Sequence, residues 1–332
     1  MEKPAIRLSF ILPFYGVERY IGQCLKSIYQ QDIPEEEYEV ICVNDCSPDH
    51  AEQVVAEFGK QHANLTLIRH DVNRKLGAAR NTGLRAAHGR YVWFVDTDDY
   101  IAENCLGRVL RLCEQNKLEI LHFNIQDNAG RIMRRLVPTD VLTGPEEEII
   151  SKRQQSIEIT FPWNRVYNRE FLLDNNLWFN DLYGGDVIHT ILAVNRCRRI
   201  MNVDEFFHFY RVDNYSSDTK SAANAQKLYD MNYLLAQAID QIMPQIRQQW
   251  KPLIAECIPW RINTSIRGVL KLPEDEQRKL MSILKHNPSM YEFVRKHGNL
   301  QTKLVLSNLF VLRAASWIYV HLRNSRQKFH SI

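Results

Sequence analysis

Three carboxylates in four residues, Asp96, Asp98 and Asp99, follow the apolar run at 91–95. Like charges this close repel, and the repulsion must be offset by a cation or by hydration. Hard divalent ions, Mg2+ or Mn2+, take oxygen ligands and bridge to phosphates. Asp96 and Asp98 are therefore candidate metal ligands against a diphosphate, with Thr97 between them. The competing reading is that Asp98 or Asp99 caps the next helix while the others are solvated. Asp45 lies in Asn44-Asp45-Cys46-Ser47 after another apolar run. A carboxylate there accepts from a nucleobase N–H or a ribose hydroxyl, or it supports a turn at Ser47. Arg80 faces either a diphosphate or water. Pro13-Phe14-Tyr15-Gly16 closes the first apolar run. It is not a phosphate loop, and no Gly-x-Gly-x-x-Gly follows it, which argues against a dinucleotide enzyme.

Further along, Asp186 follows Gly184-Gly185 and opens a helix. A helix N-terminus favours an ionised acid, and the residue also reads as a plain helix cap. Trp163 is a stacking platform for a sugar ring or a core aromatic. His208 is an extra metal ligand or a core or edge histidine.

These residues need strands and helices to bring them together. Apolar runs at 7–12, 38–43, 65–69 and 91–95 read as strands. Helical spacing follows each of the first three: Ile21, Leu25 and Ile28; then Val54, Val55 and Phe58; then residues 78–88, ended by Gly89. Ser47-Pro48-Asp49 reads as the start of the second helix. Such alternation predicts a mostly parallel sheet with helices on both faces. In open sheets of this kind ligands sit beyond the carboxyl ends of the strands. Asp45, Asp96 and the segment 13–16 all stand there. Later come a helix from Leu106 to Cys113, a strand at 120–125, a turn at 127–130, helices at 169–175 and 186–196, and a strand at 206–211. From about Ala222 only helical patterns remain. We place the boundary between a domain at 1–216 and a helical C-terminal region at 217–332.

The 332 residues are 45% hydrophobic and 24% charged, which excludes a collagenous or wholly disordered chain. A net charge of +3 is too mild for a nucleic-acid partner. The cysteines number seven and form no CxxC pair, as expected of reduced packing residues in a cytoplasmic protein. No 18-residue window is apolar enough to predict a membrane span. The last 32 residues hold Lys303, Arg313, Arg323, Arg326 and Lys328 without an acid, among Leu309, Phe310 and Trp317. This is either an interfacial helix on an anionic membrane surface, giving a peripheral protein, or a helix packed on the domain.

Four ordered motifs resemble the family-2 glycosyltransferases of bacteria. They are Ile11-Leu12-Pro13-Phe14-Tyr15 with the helix after it, Val43-Asn44-Asp45-Cys46-Ser47-Pro48-Asp49, Ala79-Arg80-Asn81-Thr82-Gly83-Leu84, and Phe94-Val95-Asp96-Thr97-Asp98-Asp99-Tyr100-Ile101. Pro162-Trp163-Asn164-Arg165-Val166-Tyr167 and Tyr210-Arg211 also match, so the resemblance spans residues 6–217. It implies an α/β GT-A (nucleotide-diphospho-sugar transferase) fold: a mixed, mostly parallel sheet flanked by helices, here with a helical C-terminal extension. It implies a UDP-sugar donor, with Asp45, Pro13 and Tyr15 around the base and Arg80, Asp96 and Thr97 near the nucleotide. Asp96 and Asp98 would meet Mg2+ or Mn2+, and Asp186 would be the base of an inverting transfer. The acceptor would be a hydroxyl of a polysaccharide or lipid-linked oligosaccharide, with Trp163 and Gly185 nearby. Family members often carry Asn at Gly16, Gly at Lys75 and Glu at Gly185. A catalytically degenerate sugar-nucleotide-binding protein, or a sugar nucleotidyltransferase, are the alternatives.

Overall fold

The computed structural model describes residues 6–134, 138–143, 161–182, 184–214, 224–269, 272–286 and 288–297. The basic segment 301–332 lies outside them. The chain divides into two compact units: residues 1–181 with 185–220, and residues 182–184 with 221–332.

The first unit is built on one sheet. β1 (Leu8–Phe14), β2 (Tyr38–Asn44), β3 (Leu65–Arg69) and β4 (Tyr91–Phe94) run parallel in the order β3-β2-β1-β4. β1 and β4 are buried at every position, hence their uninterrupted apolar runs, whereas β3 lies at the edge with exposed Thr66 and Arg69. α1 (Glu18–Tyr29), α2 (Ala51–Gln61) and α3 (Lys75–Ala86) connect them. α1 buries Ile21, Cys24, Leu25 and Ile28, spaced to form one stripe of a helix. α2 starts at Ala51, four residues past the expected cap at Ser47. Ser47 is instead drawn away to Gly16 and Asp49, which set the helix entry from outside it.

Beyond β4 the topology turns mixed. β5 (Tyr100–Ile101), α4 (Leu106–Gln115), β6 (Ile120–Asp127), β7 (Ile132–Arg134) and β8 (Leu142–Thr143) come next. β9 (Arg165–Asn168) enters antiparallel between β4 and β6. α5 (Arg169–Asp174) and α6 (Asp186–Arg196) precede β10 (Arg199–Tyr210), which runs parallel to β6 and pairs with β5 and β8. β10 starts seven residues before the expected strand and is bulged between Val203 and His208. The Asp127–Gly130 turn closes the β6–β7 hairpin as expected.

The described residues of the second unit form helices joined by short turns. α7 (Ala225–Leu228) passes through a π-helical stretch (Tyr229–Leu234) into α8 (Leu235–Ile242). α9 (Lys251–Val269), α10 (Glu274–Lys285) and α11 (Pro288–His297) follow. Ile254, Ile258 and Ile262 of α9 are buried one turn apart. No helix of the described residues is long and apolar enough to cross a membrane.

Candidate active site

The tip of β1 ties two loops together. Asp45 N donates to Phe14 O at 3.1 Å, and Thr97 Oγ1 donates to Pro13 O at 3.0 Å. Val95 N donates to Ile11 O at 3.0 Å, holding the exit of β4 in line. The ends of β2, β1 and β4 thus present Asp45, the 13–16 loop and the acidic turn side by side. Pro13 is buried in β1, while Tyr15 is 51% exposed. Gly16 turns the chain at φ +67°, a region open to glycine at little cost. Its amide donates to Ser47 Oγ at 2.8 Å, and that hydroxyl donates to Asp49 Oδ1 at 2.6 Å. Burial works against ionising Asp49, but bonds from Ser47 and from the Glu18 and Ala51 amides outweigh it and hold its pKa below the usual value.

Asp45 is buried. Its Oδ1 accepts from His70 Nδ1 at 2.7 Å and from the Arg74 amide at 2.8 Å. Neither partner was singled out in the sequence. His70 follows β3 directly, so the same attention to strand ends that found Asp45 and Asp96 would have found it.

Arg80 projects from α3 and is only 2% exposed. Its NH2 donates to Asp96 Oδ1 at 2.6 Å, and its guanidinium lies 5.2 Å from the centroid of the Phe179 ring. A solvated helix arginine is thereby ruled out. Asn81 fixes Phe179 by two backbone bonds, of 2.8 and 2.9 Å. A Cβ on Gly77 would stand 2.1 Å from Asn180 O, so only glycine lets this segment close on α3.

The acidic turn divides its carboxylates. Asp99 is 1% exposed and faces inward, accepting from His208 Nε2 at 2.8 Å and the Arg211 amide at 2.7 Å. Burial raises its pKa, against the opposing effect of the His208 bond. His208 is therefore a core histidine and not a metal ligand, and neither Asp98 nor Asp99 caps α4, which begins at Leu106. Asp98 accepts from Asn214 Nδ2 at 2.8 Å, and its carbonyl accepts from Arg211 Nε at 2.7 Å. Burial, with Asp99 and Asp96 close by, pushes the Asp98 pKa up to about 7.

Asp96 and Asp98 fit a divalent cation. They are hard oxygen donors, and a cation would offset both the burial and the nearby acids that raise the Asp98 pKa. Among the described residues no group of three or more His, Cys, Asp or Glu side chains is placed to hold a metal ion by itself. Two carboxylates completed by donor phosphates suit Mg2+ or Mn2+ better than a site made wholly of protein ligands.

Asp186 begins α6 and is partly buried, with Oδ1 3.1 Å from the Val187 amide. One turn on, His189 stacks on Phe179 at 3.9 Å and meets the edge of Phe94, two residues before Asp96. α6 is thereby wedged against the end of β4. Gly185 is buried at an ordinary φ of −62°, and the left-handed turn is at Gly184, φ +71°. Trp163 does not present a face to solvent. It is 4% exposed and stacks with Phe161, His208 and Tyr210, which is the packing of a core aromatic.

This sheet, with its acids gathered at the carboxyl ends of parallel strands, is a GT-A nucleotide-sugar transferase fold. The chain belongs to glycosyl transferase family 2, whose model matches residues 9–174. It is 32% identical over 211 residues to the uncharacterized glycosyltransferase EpsJ of Bacillus subtilis, covering 61% of this chain and 60% of that protein. It is 28% identical over 235 residues to the poly(ribitol-phosphate) beta-N-acetylglucosaminyltransferase TarS of Staphylococcus aureus, covering 70% of this chain and 40% of TarS. The match thus spans less than two thirds of the length of either relative. The crystal structure of TarS 1–349 in complex with UDP-GlcNAc superposes with a TM-score of 0.68 at 22% identity, over 93% of this chain and 88% of that one. A mannosyltransferase from Pyrobaculum calidifontis in complex with GDP-Man and Mn2+ gives 0.54 at 15% identity, over 93% and 86% of the two chains.

Proposed function

We propose that the protein transfers a sugar from a UDP-sugar to a hydroxyl of a bacterial surface glycan, with inversion at the anomeric carbon. The observation that carries this is the junction of Asp45, Asp96 and Asp98 through the tip of β1. The family and the UDP-GlcNAc complex of TarS support the donor. TarS, named for poly(ribitol-phosphate), supports a polymer acceptor.

Asp45 accepts a hydrogen bond from the base, between Pro13 and the exposed Tyr15. Arg80, already desolvated beneath Asp96, adds positive charge beside the donor diphosphate. Thr97 holds the acidic turn to β1. Asp186 takes the proton from the acceptor hydroxyl as that oxygen attacks the anomeric carbon opposite the departing UDP. Mg2+ or Mn2+ on Asp96 and Asp98, when bound, supplies charge that neutralises the leaving diphosphate.

The test is UDP release from UDP-GlcNAc with a poly(ribitol-phosphate) acceptor, comparing Asp186→Asn with Asp45→Ala. Asp186→Asn should lower kcat by about 10²- to 10⁴-fold with donor KM little changed. Asp45→Ala should raise donor KM by about tenfold or more with kcat nearly kept. Equal effects of both substitutions on both constants would contradict this division of roles.

A further inference from the structure

His70 stands where β3 gives way to the loop before α3, and it is buried. Both ring nitrogens are engaged. Nδ1 lies 2.7 Å from Asp45 Oδ1, and Nε2 lies 2.9 Å from Thr82 Oγ1 on α3. A carboxylate only accepts, so Nδ1 carries the proton, and in the neutral ring Nε2 accepts from the Thr82 hydroxyl. The Arg74 amide gives Asp45 Oδ1 its second donor. Asp45 Oδ2 receives no bond from the described residues. The carboxylate is therefore gripped by one oxygen, with its other oxygen left for a ligand.

We infer that His70, braced by Thr82, is a positioning residue that aims the open oxygen of Asp45 at the N3–H of a uracil base and so sets the base selectivity of the donor. The inference rests on the reading of Asp45 as the base contact. The chemistry is simple. Uracil N3 donates, whereas cytosine N3 accepts, so a carboxylate oxygen fixed at that point attracts the first and repels the second. A carboxylate free to rotate discriminates less, because it can turn away from the mismatched acceptor. The grip at Oδ1 removes that freedom.

Two isosteres separate the contacts. Asparagine places its N–H where Nδ1 stands, and glutamine places its amide where Nε2 stands. The experiment measures UDP and CDP binding to the full chain by calorimetry, with thermal unfolding and donor KM and kcat in parallel. The wild type should favour UDP over CDP. His70→Asn should keep that preference within about threefold. His70→Gln should weaken UDP binding by about tenfold or more, the expected loss of a bond to a charged group, and narrow the preference. Its donor KM should rise with kcat nearly unchanged, a split that mere loosening of the fold would not give. Wild-type selectivity in His70→Gln, or equal loss in both variants, would overturn the inference. Should both variants unfold, Thr82→Val decides, since like His70→Asn it removes only the brace: a preference narrowed by up to about threefold supports the inference, and either full wild-type selectivity or complete loss of the preference overturns it. Asp45→Ala serves as the control on the underlying reading. If it binds UDP as tightly as the wild type, Asp45 is not the base contact and both readings fall. If it loses UDP while His70→Gln does not, only the role of His70 falls.

Discussion

Asp96→Asn should destabilise the free protein far more than the loss of one exposed charge would. Arg80 is 2% exposed, and Asp96 is its charged partner at 2.6 Å; the Asp96 side chain is 25% exposed. Breaking a fully buried pair costs about 3–5 kcal/mol, because the remaining charge is stranded. An exposed pair is worth about 1 kcal/mol or less. Here the charge left behind is the deeply buried one, while water already reaches the one removed, which places the loss at roughly 2 kcal/mol. Arg80→Met removes the buried charge instead and keeps an apolar stem over Phe179. It strands only the better hydrated Asp96, so it should cost roughly 1 kcal/mol. The double variant should lose clearly less than the two single losses added together. Urea unfolding followed by tryptophan fluorescence, without nucleotide and with chelator present, measures all four proteins. Additivity within about 0.5 kcal/mol, or a larger loss for Arg80→Met than for Asp96→Asn, would refute the argument.

The other predictions concern the supports of the site. Burial, helped by the Arg80 and Arg165 charges, pushes the His189 pKa down to about 3 from an ordinary 6.5. The unfolded chain then binds the proton first. Stability should be fully present above pH 6.5 and fall as pH drops toward 3, by about 2 kcal/mol at pH 5. His189→Leu should flatten that part of the profile, and an unchanged slope between pH 6.5 and 5 would count against it. Gly77→Ala sets a Cβ 2.1 Å from Asn180 O and should cost about 2 kcal/mol or more; a near-neutral urea midpoint would mean that the segment yields easily. Gly16→Ala meets nothing within 4 Å, so only its φ of +67° is strained, and the loss should stay near 1 kcal/mol.

The parts of the fold legible in the sequence are those whose periodicity is set by burial. β1 and β4 are buried on both faces and read as apolar runs, and α6 spans the residues its pattern marks, Asp186–Arg196. β9 escaped notice because its four residues include Arg165 and Asn168, and the buried Arg165 bonds to Asn164 Oδ1 rather than to water. The early half of β10 was hidden by Asn202, Asp204 and Glu205. In the site, Asp45, Asp96 and Asp98 were legible because each follows a recognisable strand. Arg211 and Asn214 were not, since they lie 113 and 116 residues from the Asp98 they contact. Only the closing of β10 beside β6 and β5 brings them there. Of the two readings of Trp163, the core aromatic fits its stack with His208: it packs over the histidine that anchors Asp99.

The four acids of the site are not equivalent, and their difference follows from their partners. Asp96 has the Arg80 guanidinium, Asp99 has His208 and the Arg211 amide, and Asp45 has His70 and the Arg74 amide. The Asp98 side chain accepts from the neutral amide of Asn214. The crowded acids of the turn thus meet different partners from distant elements: the Arg80 guanidinium at Asp96, His208 at Asp99, and an uncharged amide at Asp98. Burial first, and then the nearby Asp99 and Asp96, raises the Asp98 pKa to about 7 while the residue stays partly open to solvent; burial raises the Asp99 pKa as well. A fold selected for stability alone would gain by pairing or deleting this carboxylate. On the proposed function a cation at Asp98 would offset that cost, and a diphosphate would meet both the cation and Arg80, the partner of the neighbouring Asp96.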